Sequence, residues 1–215
     1  MAATKASESR AVKYAAWCLA DGNKQVGTYI KKQARAWLEI TDGKNPDAFF
    51  DETAYAKICG IIELMVHPDI NGPLGNGLED YAWFLITAAL CTKLKSERGT
   101  DIRYYTTAVL EIARKNYKTF NAAVIFILLM LTDPKYSRFF SVAPDLKLSS
   151  ELKLAIRKII KSSPALADDD VFRIMRSEIR CLINESDYMP LAYSHDRMDG
   201  KVANAFVTDE AGAMD

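Results

Sequence analysis

The stretch Tyr105–Phe120 constrains the fold of this chain more than any other part of the sequence. Its first half, Thr106–Ile112, is a β-branched and apolar run, which is typical of a strand that is buried on both faces. A short polar loop over 113–117 follows, and Lys118-Thr119 then leads directly into an apolar helical pattern. A strand, a tight loop, a Lys-Thr pair and a helix in this order are typical of a phosphate-binding loop.

The chemistry of such a loop depends on the residues at the start of the helix. The helix N-terminus presents backbone N–H groups and the positive end of the helix dipole to an anion. Lys118 would add a mobile charge for the β- and γ-phosphates, and the Thr119 hydroxyl can hold Mg²⁺. Both glycines of the usual GxxxxGK[ST] pattern are replaced, by Ile112 and Tyr117. Position 117 commonly needs a backbone conformation that is unfavourable for a residue with a Cβ atom, so we expect Tyr117 to strain or reshape the loop.

Composition argues against several classes of protein. Hydrophobic residues make up 49% of the 215 residues and charged residues 26%, as in an ordinary globular domain. Lys+Arg and Asp+Glu are equal at 28 each, so net charge does not indicate nucleic-acid binding. The four cysteines form no CxxC pair, and we predict that His67 and His195 are structural and not metal ligands. The longest apolar run, Ala122–Leu131, is about half of the ~20 residues that a membrane span needs, so we expect a soluble intracellular protein.

Helical and strand patterns divide the chain into two regions. The first region shows helical patterns, at Ser9–Asp21, at Lys24–Ile40, from an Asp51 cap to a point before Pro68, and at Leu78–Lys95. Beyond Arg103, helical patterns alternate with β-type runs. The helical patterns lie at Phe120–Leu131 and Ser149–Ser162, and the second is capped by Ser149 or Ser150. The predicted strands are Thr106–Ile112, Arg138–Val142, Val171–Met175, Glu178–Ile183, Tyr188–Tyr193 and the buried Ala203–Thr208. We therefore predict an α/β fold: a P-loop NTPase-type, mostly parallel sheet flanked by helices, with an all-helical N-terminal lead-in.

A second chemical feature follows the last predicted strand. The apolar run that ends at Thr208 delivers two adjacent carboxylates, Asp209 and Glu210, to its C-terminal tip. Asp209 would hold Mg²⁺, directly or through water, and Glu210 would orient and deprotonate an attacking water. Ligands of open parallel sheets bind outside the carboxyl ends of the strands, so we expect this tip to face the same crevice as the Lys118 loop.

Several blocks of the sequence resemble the N-terminal ATPase region of large terminase subunits from tailed bacteriophages. These blocks are Val109–Thr119, Phe140–Pro144, Pro190–Gly200 and Ala205–Gly212. The form Ala-Arg-Lys-Asn-x-Lys-Thr is similar to the terminase variant of the phosphate loop, which usually lacks the first glycine. The order of the blocks and the helical front also agree, so the resemblance covers nearly the whole chain.

The resemblance implies a motor that hydrolyses ATP to translocate double-stranded DNA into a procapsid. Carried over by position, Lys118 would grip the β- and γ-phosphates, and Arg114 would sense or stabilise the γ-phosphate. Thr119 and Asp209 would hold Mg²⁺, and Glu210 would be the general base. ATP and Mg²⁺ are therefore the implied cofactors.

The resemblance also implies contacts elsewhere around the nucleotide. Lys115, Asn116 and Tyr117 would complete the ATP-binding loop. Tyr81 would stack on the adenine base, although Ala82 stands where the family has a glutamine.

The implied partners are double-stranded DNA, a small terminase subunit and a portal protein. The full-length motor would be a homo-oligomeric ring. It would work in the host cell cytoplasm, with no membrane. Residues 1–100 would form a helical N-terminal segment, and 101–215 would form a P-loop ATPase core that is incomplete at its C-terminus. The sequence ends at residue 215, before the family's coupling motif and nuclease domain. We therefore expect a partial terminase with the nuclease domain absent.

Two alternatives stay open at this point. One is a helicase-like or other DNA-stimulated P-loop ATPase. The other is a catalytically inactive truncated terminase fragment that acts only as a binding or structural module. Tyr117 and the missing C-terminal part favour the inactive fragment, whereas the intact Lys118, Thr119, Asp209 and Glu210 oppose it.

Overall fold

A computed structural model describes residues 9–96, 102–113, 115–193 and 202–208. The helices are α1 (Arg10–Cys18), α2 (Thr28–Thr41), α3 (Glu52–Glu63), α4 (Leu74–Gly77), α5 (Asp80–Cys91), α6 (Lys118–Thr132) and α7 (Leu146–Ser162). The strands are β1 (Ala48–Phe50), β2 (Val66–His67), β3 (Gly72–Pro73), β4 (Thr92–Leu94), β5 (Arg138–Ala143), β6 (Phe172–Ile174), β7 (Ile179–Cys181), β8 (Ser186–Ala192) and β9 (Ala205–Thr208). No helix in these residues is long and apolar enough to cross a membrane.

The chain divides into two compact units. The described residues of the first unit come from Met1–Gly60 and Leu78–Leu110, and those of the second from Ile61–Gly77 and Glu111–Asp215. The short segment 61–77 therefore folds with the C-terminal half of the chain. One of its anchors is the Val66 N–H, which donates to the Oγ atom of a serine 97 positions away, at 2.9 Å.

The first unit has a helical core. Ser9 caps α1, because its Oγ atom accepts the Val12 N–H at 3.1 Å. Helices α1, α2 and α5 bury apolar residues in one cluster that contains the fully buried Trp37. The Trp37 ring meets Phe84 edge-on at 5.2 Å, and its Nε1 atom donates to Thr92 Oγ1 at 3.0 Å. The tryptophan thus joins α2 to both α5 and β4.

The prediction of an all-helical front is wrong in two places. Strands β1 and β4 pair antiparallel, with Ala48 opposite Leu94, and β2 pairs antiparallel with β3. The helix predicted over Leu78–Lys95 therefore ends at Cys91, whose carbonyl accepts the Asp51 N–H at 2.8 Å. Strands of two or three residues are too short to show an alternating pattern, and they form only because a partner backbone lies beside them.

The second unit contains a five-stranded sheet in the order β6-β7-β8-β5-β9. Strand β5 pairs in parallel with β8 and β9, whereas β7 pairs antiparallel with β6 and β8. The α/β class is confirmed, and five predicted strands occur with ends within two residues of the prediction. The described sheet is mixed and not mostly parallel, because short connections join β6 to β7 and β7 to β8, and such turns permit only antiparallel pairing.

Helices α6 and α7 bury one face of this sheet. Phe126 of α6 packs edge-on against Phe139 at 6.1 Å and Tyr188 at 5.6 Å. On α7, Ser149 Oγ donates to the Ser141 carbonyl at 2.8 Å, and Ser141 Oγ lies 2.6 Å from Tyr188 Oη. These buried hydrogen bonds join α7, β5 and β8.

The start of α7 differs from the prediction. The helix begins at Leu146 and is capped by Asp145, whose Oδ1 atom accepts the Leu148 N–H at 2.9 Å. The predicted caps, Ser149 and Ser150, lie inside the helix. Ser149 serves the buried hydrogen bonds with the sheet, a tertiary role that a local capping pattern does not show.

The strand predicted at Thr106–Ile112 is absent from the structure. Residues 106–113 form no regular secondary structure, and Val109 is 84% exposed. Just before them, Arg103 forms an isolated bridge with Lys93. A β-branched apolar run predicts only that a segment can pair, and none of the described strands pairs with this one.

Strand β9 is present but is not buried as predicted. Its residues alternate between half-buried and exposed, and Phe206 is 63% exposed. Among the described strands β9 pairs only with β5, on one side, so it is an edge of the described sheet. An apolar run predicts burial only when another layer or strand covers it.

Tyr188→Phe is expected to lower stability by about 1 kcal/mol at pH 8, because it removes one buried hydrogen bond to Ser141 Oγ. Burial raises the pKa of Tyr188 above its ordinary value of 10.0. Above pH 10 the unfolded tyrosine ionises and the folded one does not, so the wild type loses stability as pH rises. The variant lacks this loss, and its stability deficit should shrink towards pH 11. Urea unfolding at both pH values measures the change.

The matched control is Tyr136→Phe in the same unit, because Tyr136 is 66% exposed. It should change stability little at either pH. A deficit for Tyr188→Phe that widens from pH 8 to pH 11 would contradict the prediction.

Candidate functional site

The loop before α6 contains two left-handed backbone conformations. Lys115 has a φ of 68°, and Tyr117, the N-cap residue of α6, has φ 59° and ψ 25°. Asn116 lies between them, and its Nδ2 atom donates to the Ala113 carbonyl at 3.2 Å. The predicted unfavourable conformation at position 117 is thus confirmed. A left-handed conformation costs an L-residue roughly 1–2 kcal/mol, so Tyr117 is a strained residue.

This backbone is suited to binding an anion. Left-handed residues at 115 and 117, on either side of Asn116, are backbone of the kind from which anion-binding nests are built. Tyr117 makes no side-chain capping hydrogen bond to α6. The Thr119 and Phe120 amides have no carbonyl four residues earlier within the helix, since α6 begins at Lys118. The positive end of the helix dipole lies at the same point.

The N-terminus of α6 points towards the carboxyl edge of the parallel strands. Helix α6 ends at Thr132, and β5 begins shortly after, at Arg138. Ser186, the first residue of β8, donates its hydroxyl to the Met130 carbonyl at 3.0 Å. The C-terminal end of α6 therefore lies at the amino ends of β5 and β8. Because Phe126 packs on the sheet, the helix runs back along it towards the carboxyl ends of β5, β8 and β9.

Five of the predicted site residues lie together in this turn. Lys115, Asn116 and Tyr117 form the loop, and Lys118 and Thr119 are the first two residues of α6. A lysine ammonium and a hydroxyl oxygen at a helix N-terminus are groups that fit a phosphate and a magnesium ion, respectively.

Four of the other positions considered from the sequence are not described by the structure. Arg114, Asp209, Glu210 and His195 fall outside the described residues. Strand β9 ends at Thr208, directly before the two carboxylates in the sequence. Within the described ranges, no group of three or more His, Cys, Asp and Glu residues is arranged to hold a metal ion.

Tyr81 lies in the first turn of α5, in the first unit. Its side chain is partly buried, and the neighbouring Ala82 is fully buried. An alanine without exposed surface has no group to offer a nucleobase.

A buried histidine packs against the loop. His67 is 1% exposed, and its ring centroid lies 4.6 Å from that of Phe120 and 6.1 Å from that of Tyr117. Its Nδ1 atom accepts the Asp69 N–H at 3.2 Å. Burial and this hydrogen bond fit the structural role predicted for His67. The contact with the loop was not predicted, because it joins segments that are distant in the sequence.

Comparison with known proteins assigns this chain to a family. Residues 87–215 match the family described as "Terminase large subunit, ATPase domain", which is more than half of the chain. The chain belongs to the terminase large-subunit ATPase family. The resemblance stated from the sequence is thereby confirmed.

The terminase fold is also found among solved structures. The chain is similar to the structure titled "Crystal structure of the HK97 bacteriophage large terminase", with a TM-score of 0.53 and 22% identity. The similarity covers 74% of this chain and 31% of that chain, so this terminase chain spans about a third of the length of the HK97 protein. No curated protein matches the chain. At this identity the likeness supports the fold, and the family match supports an ATPase domain.

The family match includes most of the predicted site. The loop residues 114–119 and the pair Asp209-Glu210 fall inside the matched residues of this terminase ATPase chain, whereas Tyr81 falls before them.

Proposed function

We propose that this chain is the ATPase portion of a phage DNA-packaging motor that couples ATP hydrolysis to translocation of double-stranded DNA into a procapsid. The observation that carries the proposal is the turn 115–119. Two left-handed loop residues, a helix whose N-cap residue makes no side-chain capping hydrogen bond, and a Lys-Thr pair occur together there, in a chain of the terminase ATPase family. The turn lies towards the carboxyl edge of parallel strands, where ligands of such sheets bind.

In the proposed site, the backbone N–H groups of the loop cradle the phosphates of ATP. Lys118 neutralises the β- and γ-phosphates, and Arg114 stabilises charge on the γ-phosphate. Thr119 and Asp209 would hold Mg²⁺, which when bound would supply positive charge to offset that of the phosphates. Glu210 takes the proton of the attacking water.

Further parts of the proposal rest on the family. Tyr81 contributes to the adenine side, and residues 1–100 and 101–215 act as N-terminal segment and ATPase core. The proposed partners are double-stranded DNA, a small terminase subunit and a portal protein, and the full-length motor is a homo-oligomeric ring. The motor works in the host cell cytoplasm.

One observation favours a second candidate function, an inactive binding module. Tyr117 occupies a left-handed conformation that glycine adopts without strain. If the strained loop relaxes away from this geometry, the chain folds but holds no nucleotide, and it acts only through contacts with other motor proteins.

The test is ATP binding by the full chain, measured calorimetrically with Mg²⁺ present. We expect Lys118→Ala to raise the dissociation constant roughly 10- to 100-fold, because a hydrogen-bonded charge on the phosphates is lost. The control is Lys135→Ala, since Lys135 is an exposed lysine just beyond the other end of α6. It should bind as the wild type does.

Two results would contradict the proposal. One is a wild type that does not bind ATP, which would favour the inactive module. The other is equal affinity in Lys118→Ala and the wild type, which would place the nucleotide elsewhere.

A further inference from the structure

We propose that His67 is a positioning residue for the phosphate loop, and that it holds the strained Tyr117 in place through its ring. The inference rests on the proposed function for its effect on nucleotide binding. It concerns a segment, 66–77, that lies before the residues matched to the ATPase family.

A strained loop residue needs contacts that hold it. Tyr117 is left-handed, and a residue with a side chain keeps that conformation only where its surroundings impose it. Tyr117 is 50% exposed, so about half of the residue's surface is in contact with the protein. Those contacts are the candidates for what imposes the conformation.

Two aromatic side chains contact the Tyr117 ring. Its ring meets His67 nearly perpendicularly at a centroid distance of 6.1 Å, and it meets Phe120 at 5.9 Å. The His67 and Phe120 rings lie 4.6 Å apart. The three rings form one cluster, which we call the ring cluster, at the first turn of α6. The two pairs that include Tyr117 have the distances and edge-to-face angles that aromatic pairs favour, and the His67–Phe120 pair is tilted at 40°.

His67 is itself held firmly. It belongs to β2, where it pairs with Gly72, and its Nδ1 atom accepts the Asp69 N–H at 3.2 Å. The imidazole also occupies the space that a side chain at position 77 would need. A Cβ atom on Gly77 would lie 2.7 Å from His67 Cδ2 and 3.1 Å from Ile70 Cδ1. Because residue 77 is a glycine, the imidazole can lie where it contacts the Tyr117 and Phe120 rings.

The segment that carries His67 is anchored to the same unit as the loop. The Val66 N–H donates to Ser163 Oγ at 2.9 Å, and that hydroxyl donates to the Ile159 carbonyl at 2.6 Å. Leu74 N–H donates to the carbonyl of the buried Met65 at 2.9 Å. Helix α7, which receives the anchor, packs against α6. His67 is thus fixed relative to the helix that the loop precedes.

Where the usual loop pattern has a glycine, this chain therefore has Tyr117, and the His67 ring holds that tyrosine in its left-handed conformation. His67 does not touch the nucleotide. It sets the orientation of the loop N–H groups that do, so its loss should weaken ATP binding without removing any ligand group.

The experiment measures ATP affinity of the full chain in five variants, of which Tyr117→Gly is the reference for the double variant. His67→Ala should raise the dissociation constant for Mg²⁺-ATP roughly 2- to 10-fold, the loss expected for an aromatic contact. His67→Phe, which keeps a ring, should recover most of this loss. Gly77→Ala leaves the His67, Tyr117 and Phe120 rings in the chain but displaces the His67 ring. It should therefore behave as His67→Ala does. In a Tyr117→Gly background, His67→Ala should change affinity by less than about twofold, because glycine needs no ring to hold it.

A second measurement needs no nucleotide. Hydrogen exchange of the Asn121 amide, which donates to the Tyr117 carbonyl at 2.8 Å, should become roughly 2- to 10-fold faster in His67→Ala and in Gly77→Ala, and not in His67→Phe. If the wild type binds no ATP, the proposed function fails, and exchange alone decides the inference.

Two results would overturn the inference. The first is an equal effect of His67→Ala on affinity with tyrosine or glycine at 117, which would mean that His67 only stabilises its own segment. The second is an unchanged rate of hydrogen exchange at the Asn121 amide in both His67→Ala and Gly77→Ala.

Discussion

Glu210→Gln is expected to lower the rate of ATP hydrolysis by about 10²- to 10⁴-fold, the usual contribution of a general base. Glutamine has nearly the size of glutamate but accepts no proton, so the attacking water is no longer activated. ATP affinity should change by less than about threefold, since the phosphates are held by the loop and not by this residue. Phosphate release by the full chain, with and without double-stranded DNA, measures the rate.

The control for this prediction is Glu185→Gln. Glu185 is exposed and precedes β8, at the amino end of the parallel strands and so away from the proposed site. Its variant should hydrolyse ATP as the wild type does. A fully active Glu210→Gln would show that another group is the base. Equal inactivity of the wild type, Glu210→Gln and Lys118→Ala would favour the inactive binding module.

Trp37→Ala is expected to lower the free energy of unfolding by about 3–5 kcal/mol, the cost of deleting a large core side chain. Trp37 is fully buried and contacts Phe84 and Phe50 edge-on, at 5.2 and 6.0 Å. The substitution also removes the hydrogen bond that Trp37 Nε1 donates to Thr92 Oγ1, and Thr92 is fully buried. Urea unfolding followed by far-UV circular dichroism measures the loss, because tryptophan fluorescence itself changes with the variant.

Two further variants separate the causes of this loss. Trp37→Phe keeps much of the ring but not the N–H donor, and it should cost about 1–3 kcal/mol through the unsatisfied Thr92 hydroxyl. Trp17→Ala removes a tryptophan that is 46% exposed and should cost under about 1 kcal/mol. A loss of less than about 1 kcal/mol for Trp37→Ala would show that this side chain does not hold the first unit together.

The candidate site was predictable from the sequence to the extent that its chemistry is local. Lys118 and Thr119 begin a helix because an apolar helical pattern follows a polar loop, and the strain at Tyr117 follows from a tyrosine where the loop pattern has glycine. The link from His67 to the loop was not predictable in this way. It arises from contacts between segments that no local pattern connects.

The sequence by itself determined the α/β class, every described helix except the four-residue α4, and five strands of the second unit to within two residues, because amphipathic periodicity and β-branched runs act over a few neighbouring residues. Tertiary structure alone decided which of those runs pair. Thr106–Ile112 has a strand pattern without a described strand, and Thr92–Leu94 forms a strand at the end of a helical pattern. It also decided that 61–77 folds with the sheet and that Ser149 serves the core and not a helix cap. Strand pairing and buried hydrogen bonds need a partner from elsewhere in the chain, so they are settled only when the chain has folded.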